Sequence, residues 1–492
     1  MGLDIFLGGF GLWSVLYLIM DITIRVIAVI VVPRNRKPTA GTAWLMLIFI
    51  QPAVGMLIFL LIGNPKLPRK RRKIQEEIND AVKTGVEALP NQEHQPGAPT
   101  WFNSLVELNS NLGALPLLGG NTARLIADYD GSIAEMTREL DTAVDYIHIE
   151  FYILSYSPKT EEFFNAIGRA VSRGVKVRVL FDHIATLRSP SFRRTKRRLR
   201  EVGAEWHMML PVQPLRGKYQ RPDLRNHRKL LIVDGRVGYM GSQNLVDRTY
   251  LKKTNLRRGL KWKDLMVRVV GPTVDALNVI FLSDWYAETG EIIALRLDMA
   301  EAVPEGTPHV LDCQVVPSGP GFDGENNLRL FLGLLYAAQK RIVITSPYFV
   351  PDESIMYAVT TAVQRGVPVD LFVSEEGDQA VVFHAQRSYY EELLKAGVRI
   401  FMYPAPYILH AKHFTIDDDV AVIGSSNMDM RSFGLNLEVS LLVRGASFVE
   451  EMRGIEDDYR AMSRELTLEE WERQPLRSTV LDNLARLTSA LQ

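Results

Sequence analysis

The sequence predicts an α/β protein: two tandem α-β-α lobes that close into one pseudo-symmetric catalytic unit, preceded by an α-helical transmembrane hairpin. Three observations carry that prediction. Two long apolar runs stand near the N-terminus, one pattern of residues occurs twice in the remaining chain, and strand-like segments alternate with helix-like ones inside each occurrence. The 492 residues include 57 Lys+Arg and 57 Asp+Glu, and 47% are apolar, enough for a large core. One cysteine, Cys313, excludes an intramolecular disulfide framework and a cysteine-rich zinc site. The balanced charge is a cancellation: residues 1–270 hold 40 basic and 24 acidic side chains, whereas residues 271–492 hold 17 and 33. A basic half of this kind calls for an anionic surface or substrate.

Residues 1–64 form the expected hairpin, with spans at about 3–23 and 40–62. The apolar run up to Met20 is about 27 Å long as a helix, close to the hydrocarbon thickness of roughly 30 Å. Asp21 and Arg25 follow, four apart and able to pair on one helix face, and are expected near an interface with the span before them. The basic turn Pro33-Arg34-Asn35-Arg36-Lys37-Pro38 leads to a second uncharged run, with a kink expected at Gln51-Pro52. A signal peptide is disfavoured because no basic region precedes the first run and two runs follow one another. Lys66, Arg69, Lys70, Arg71, Arg72 and Lys73 give the flank after the hairpin more positive charge than the turn, which places residues 64–492 on the cytoplasmic side. The same cluster is suited to anionic headgroups.

Residues 65–115 are expected as a basic juxtamembrane connector, residues 116–288 as a first lobe and residues 289–492 as a second lobe with an acidic C-terminal tail. The lobes are recognised by repetition. His227-Arg-Lys229-Leu-Leu-Ile-Val-Asp234 and His410-Ala-Lys412-His-Phe-Thr-Ile-Asp417 both read H-x-K-x-x-x-x-D, within motif stretches 221–248 and 404–431. Gly241-Ser242 and Gly424-Ser425 follow fourteen residues after each histidine, and Asn244 and Asn427 follow seventeen after. Ile149-Glu150-Phe151-Tyr152 corresponds to Thr345-Ser346-Pro347-Tyr348, while Asp264 and Glu438 each precede a glycine by seven residues. Within each copy, strands (146–153, 175–181; 341–347, 367–373) alternate with helices (160–172, 192–202; 353–364, 388–396), the mark of a layered fold with a buried sheet.

Doubled, the motif offers His227 and His410 as nucleophile and proton carrier, with Lys229 and Lys412 as fixed positive charge. On an extended strand His and Lys two apart face the same way. Asn244 and Asn427, with hydroxyls from Ser242 and Ser425, complete a cage of donors for a tetrahedral oxyanion such as phosphate. Asp234 and Asp417 count with the catalytic set by motif position, although seven residues from the histidine also suits a structural role. No metal and no cofactor is expected, because the chain has no H-E-x-x-H and no carboxylate cluster among the motif residues. The fitting chemistry is two-step displacement at phosphorus through a phosphohistidine.

These residues resemble the phospholipase D superfamily, whose signature is the duplicated H-x-K-x-x-x-x-D with G-S-x-N. With the hairpin, His148-Ile-Glu-Phe-Tyr152, Trp262-Lys-Asp264, Ser346-Pro-Tyr-Phe-Val-Pro351, Asp429-Met-Arg-Ser432 and Asn436-Leu-Glu438, the resemblance narrows to the bacterial cardiolipin synthase branch. It implies a phosphatidyltransferase of the bacterial inner membrane, multi-pass, that joins two phosphatidylglycerol molecules into cardiolipin and glycerol. It further implies His227 as nucleophile, His410 as acid/base, phosphate held by Lys229, Lys412, Asn244 and Asn427, and Asp264 and Glu438 as carboxylate partners of the histidines. The symmetric motifs by themselves assign neither histidine the first attack. Anionic membrane lipids, and not nucleic acid, are the expected partners. The alternatives are another superfamily phosphatidyltransferase or phospholipase, and a membrane-tethered nuclease gripping phosphates with residues 188–229, where 13 basic face 3 acidic residues. The basic half is expected to face the bilayer and the acidic stretch 450–472 to face solvent.

Overall fold

The computed structural model describes residues 11–34, 36, 38–63, 67, 69–86, 94–213, 218–294, 310–322 and 324–487. They pack as two compact units: the N-terminal helices together with Arg221–Asp223, and the remainder of the chain.

In the first unit a helix spans Leu12–Val31, and its part Trp13–Val31 is, among the described residues, the helix long and apolar enough to cross a bilayer. It runs through Asp21 and Arg25 instead of ending before them. The two sit one turn apart with Arg25 Nε 2.9 Å from Asp21 Oδ2, so neither charge enters apolar surroundings unpaired. The start of the span expected from residue 3 lies outside the described residues. The second expected span divides into Pro38–Ile50 and Pro52–Ile62. Gln51 leaves helical geometry (φ −142°, ψ 85°) and Pro52 opens the next helix, where its missing N–H costs nothing. Each piece, about 20 and 16 Å long, is short of a full crossing. Ala28, Val32, Ile48 and Phe59 form the buried core of this unit. Gly55 lets the two short helices touch, since a Cβ there would meet the Ile48 Cα at 2.7 Å.

The second unit is built on one continuous sheet. Two antiparallel strands at its centre, Leu117–Ile126 and Leu311–Ser318, join the halves. Outward from the first run Met266–Val270, Val237–Gly241, Lys229–Val233, Tyr146–Phe151, Lys176–Asp182 and Glu205–Met209. Outward from the second run Asn436–Arg444, Val420–Gly424, His413–Ile416, Ile342–Thr345, Val369–Ser374 and Arg399–Tyr403, with Arg464–Leu466 at the far edge. The order is the same in both directions, so the duplication read from the motifs is a two-fold repeat of the sheet. Helices cover its faces, among them Glu161–Ser172 and Thr273–Thr289 in the first half and Glu353–Gln364 and Ala446–Met462 in the second. Expected helix 388–396 is instead a pair, Ala380–Arg387 and Tyr390–Ala396.

Two stretches differ from their expected character. Within 65–115 the chain forms helices Arg69–Val86 and Thr100–Gly113, and Phe102 and Leu105 from the latter are buried in the core of the second half. Arg71, read as a headgroup contact, is an ion-pair partner of Glu288 with both side chains largely buried. The acidic stretch 450–472 is structured: Glu456 is fully buried, accepts from Thr415 Oγ1 at 2.9 Å and pairs with Arg453 at 3.0 Å.

Asp234 and Asp417, placed with the catalytic residues by motif position, close turns. Asp234 accepts from the backbone N–H groups of Val144, Asp145 and Tyr146, each at 2.8 Å. Asp417 accepts from Gln339, Lys340 and Arg341 at 2.7–3.1 Å. Both residues hold a left-handed backbone, φ 50°, which Asp tolerates better than most side chains. Each ties the turn after a motif strand to the start of its neighbouring strand, away from the histidines. Asp234→Ala should therefore lower stability by about 3 kcal/mol, seen as a depressed melting temperature, while the folded variant keeps turnover within tenfold of the parent. An unchanged melting temperature with turnover abolished would return Asp234 to the catalytic set.

Candidate active site

His227 and His410 each sit just before a strand, Lys229–Val233 and His413–Ile416 respectively. Each is held by the opposite half of the repeat. The segment Arg225–Asn226 runs parallel to Asn436–Leu437, and His227 N–H donates to the Leu437 carbonyl at 2.8 Å. Tyr407–Leu409 runs parallel to Lys261–Lys263, and His410 N–H donates to the Lys263 carbonyl at 2.7 Å. The residue that follows each accepting carbonyl is a carboxylate. His227 Nδ1 therefore lies 2.9 and 3.0 Å from the two Glu438 oxygens, and His410 Nδ1 lies 2.7 Å from Asp264 Oδ1. Pairing is thus crossed. The unequal spacings within a copy (37 residues from His227 to Asp264, 28 from His410 to Glu438) bear on no contact, because each carboxylate serves the other copy's histidine.

The Gly-Ser step explains how the carboxylates are held. Ser242 Oγ donates to Asp264 Oδ1 at 2.6 Å and accepts from Leu265 N–H at 3.0 Å. Ser425 Oγ donates to Glu438 Oε2 at 2.5 Å and accepts from Val439 N–H at 3.0 Å. A Cβ on Gly241 or Gly424 would meet the Leu265 or Val439 carbonyl at 2.4 Å, so glycine permits the close approach. Both hydroxyls are fully buried and committed to the carboxylates, not to an oxyanion as expected. Asn244 is likewise engaged: its Oδ1 accepts from Ile153 N–H at 3.0 Å and its amide donates to Tyr250 Oη at 2.8 Å. Asn427 differs, since its buried Oδ1 has no hydrogen-bond partner among the described residues.

Lys229 Nζ donates back to the His227 carbonyl, and Lys412 Nζ to the His410 carbonyl at 2.6 Å. The H-x-K spacing so fixes each lysine beside its histidine with two ammonium protons still to place. Around His227 the wiring is heavier. Asp182 takes Arg225 at 3.1 Å and Asn226 N–H at 3.0 Å, Glu150 takes the Asn226 amide at 2.9 Å, and Arg228 pairs with Asp284 while donating to the Glu438 carbonyl at 3.1 Å. Arg225, Arg228 and Lys229 are consequently internal, not part of a surface basic stripe. Tyr152 and Tyr348, matched in the repeat without an assigned role, present ring contacts to His227 and His410 with centroids 4.7 and 6.3 Å apart. Asp182 gave no signal because Ser374 stands at its place in the second copy; Asp284 has a counterpart in Asp458, each thirteen residues after the Gly271 or Gly445 of its copy, but its partner Arg228 is replaced there by Ala411.

Burial sets the electrostatics. It lowers His227 well below the ordinary imidazole value, helped by Lys229, Lys412 and His410, and it lowers His410, helped by Lys412. It lowers Lys229 strongly and brings Lys412 down to about 8. The carboxylates diverge. Burial pushes Glu438 up to about 7, whereas for Asp264 the burial penalty is outweighed by His410, Lys412 and the Ser242 hydroxyl, which hold it below its usual range. His227, lowered the further, is thus neutral at rest with Nδ1–H aimed at Glu438 and Nε2 bare, whereas His410 has the ionised Asp264 at its Nδ1 to favour the protonated form. Such a pair suits nucleophilic attack and proton transfer at one centre.

A sequence profile described as cardiolipin synthase, PLD-like domain, matches residues 136–285 and 331–457, one stretch in each half. The chain belongs to this family. A second profile, phospholipase D-nuclease N-terminal, matches residues 24–64. Cardiolipin synthase A of Proteus mirabilis is 33% identical over 96% of both chains, and that of Pectobacterium carotovorum is 31% identical over 98% of this chain and 97% of its own. The solved phosphatidylserine synthase of Haemophilus influenzae, 14% identical, covers 79% of this chain and all of its own with a TM-score of 0.58, which shows a shared fold.

A pH profile follows from the charges of this family member. Glu438 accepts the His227 proton only when ionised, so turnover should fall as pH drops through about 7; Lys412 holds its charge only below about 8, so turnover should fall above it. Glu438→Gln should reduce kcat about a thousandfold and flatten the acid limb. A full acid limb in that variant would assign the titration elsewhere.

Proposed function

We propose that the chain is a membrane-bound cardiolipin synthase that transfers a phosphatidyl group from one phosphatidylglycerol to the primary hydroxyl of another, releasing glycerol. The observation that carries this reading is the crossed pair of imidazoles, each with a carboxylate behind it and a lysine beside it, in a chain that matches cardiolipin synthases along nearly its whole length.

His227 Nε2 attacks phosphorus while the bond to the leaving glycerol oxygen breaks, and His410 Nε2–H supplies the proton that glycerol carries away. The second lipid's hydroxyl then gives its proton to His410 and attacks phosphorus. The phosphorus–nitrogen bond breaks and His227 is regenerated. The unequal carboxylates support this order of roles. Asp264, held ionised, favours a protonated His410, as an acid requires; Glu438, pushed upward, favours a neutral His227, as a nucleophile requires. Lys229 and Lys412 balance the phosphoryl oxygens.

The apolar helix Trp13–Val31 supports membrane attachment, and the basic cluster from residue 66 to residue 73 supports a cytoplasmic catalytic unit at the inner membrane by the positive-inside rule. Internal use of Arg225, Arg228 and Lys229 leaves fewer exposed cations for a nucleic acid and disfavours the nuclease alternative.

Purified full-length protein given phosphatidylglycerol in detergent should yield cardiolipin and glycerol in equal amounts. His410→Ala should stop turnover and accumulate a phosphatidyl adduct on His227. An adduct on His410 in His227→Ala, with none in the reciprocal variant, would reverse the roles, and release of phosphatidic acid alone would make the chain a phospholipase.

A further inference from the structure

The C-terminal helix Leu476–Arg486 is amphipathic the wrong way round for a soluble surface. Its polar Asp482 and its Ala485 face the protein and are buried. Asp482 accepts from His384 Nδ1 at 2.6 Å and pairs with Arg387 at 3.2 Å, both on the helix Ala380–Arg387 beneath it. The opposite side carries Leu476, Val480, Leu484 and Leu487, spaced four, four and three apart and therefore aligned in one stripe. Their relative exposures are 82, 53, 56 and 81%. Solvating such a stripe is unfavourable, and nothing in the core of this unit uses it.

The charge beside the stripe bears on its partner. From residue 473 to 487 the charged residues are Arg473, Arg477, Asp482 and Arg486. Asp482 is turned inward, Arg473 pairs with Glu469 and Arg486 lies 3.5 Å from Glu392, which leaves Arg477 as the exposed charge of this segment with no ion-pair partner among the described residues. A helix that combines an exposed aliphatic stripe with an unpaired arginine beside it fits the boundary between headgroups and acyl chains of an anionic bilayer. Its position relative to the histidines supports the same occupant. Gln379, immediately before the supporting helix, donates to Tyr348 Oη at 3.0 Å, and Tyr348 Oη donates to Asp378 at 2.7 Å. The Tyr348 ring stands against His410. The leucine stripe is thus joined to the acid/base side of the active site through a single helix.

We propose that Leu476–Arg486 is an interfacial helix that rests its outward stripe on anionic phospholipid and holds the His410 side of the site at the bilayer surface. The proposal rests on the reading of the substrate as a membrane lipid. The helix carries no aromatic residue, and four exposed aliphatic side chains supply its apolar surface.

The test uses full-length protein in vesicles of equal parts phosphatidylglycerol and phosphatidylcholine. Leu484→Cys supplies a labelling site for an environment-sensitive fluorophore, since the native Cys313 is fully buried. Vesicles with brominated acyl chains should quench the fluorophore. The combined variant Leu476→Ser, Val480→Ser, Leu484→Ser and Leu487→Ser should lose at least about fivefold in turnover on vesicles and keep parental turnover in detergent micelles. Absence of quenching by brominated lipid would overturn the proposal, as would equal turnover of parent and variant on vesicles. Concentration-dependent self-quenching without lipid quenching would overturn it in favour of a second copy of the chain. Failure of the parent to form cardiolipin would defeat the functional reading alone, because lipid quenching still reports the contact.

Discussion

Each motif histidine takes its carboxylate from the other copy of the repeat, and the rest of the two-fold unit is arranged around that exchange. The exchange requires two short parallel ladders, Arg225–Asn226 on Asn436–Leu437 and Lys261–Lys263 on Tyr407–Leu409, to lie in fixed register. A slip of one residue would turn Glu438 or Asp264 to the opposite face. The continuous sheet, joined through Leu117–Ile126 and Leu311–Ser318, provides the rigidity that holds both registers at once. Neither half contains a complete site, so the catalytic unit depends on duplication and not merely on the presence of two motifs.

Energetically the site is a buried cluster of two histidines, two lysines and two carboxylates, an arrangement that is unfavourable unless each charge is matched. The match is close. Each lysine returns to the carbonyl two residues before it, each serine binds a carboxylate through its hydroxyl and accepts a backbone N–H, and each carboxylate is shared between a serine and an imidazole. The remaining capacity lies at the Nε2 atoms and in the spare ammonium protons of Lys229 and Lys412. In the proposed reaction a phosphoryl group meets those donors without reorganisation. The proposed division of tasks between the two histidines rests on the inequality of Asp264 and Glu438.

Much of this was legible in the sequence because it repeats. His227, Lys229, His410 and Lys412 are fixed by a spacing that occurs twice, and the alternation of strands and helices around them follows from period and turn residues. The crossed pairing was not legible, since residue spacing within one copy says nothing about which copy a side chain faces. Ser242 and Ser425 were read as oxyanion donors because hydroxyls have that chemistry; only the approach of Leu265 and Val439 shows that they are already occupied. Asp234 looks catalytic by its place in a motif and proves to hold three backbone N–H groups. Asp182, with Ser374 at its place in the second copy, is invisible to an argument from repetition, whereas Asp284 recurs as Asp458 and its role depends on Arg228, which does not recur. The hairpin was half legible: the break at Gln51-Pro52 was readable from proline and the Asp21–Arg25 pair from its four-residue spacing, whereas the continuation of the first helix through that pair to Val31 was not.

The crossed pairing is tested most directly by nitrogen NMR of the imidazoles in full-length protein labelled at histidine, comparing the parent with Glu438→Gln and Asp264→Asn. The account predicts that Glu438→Gln shifts the His227 Nδ1 signal and leaves His410 nearly unmoved, while Asp264→Asn does the reverse. If Glu438→Gln instead shifts His410, each carboxylate serves its own copy and the account is wrong.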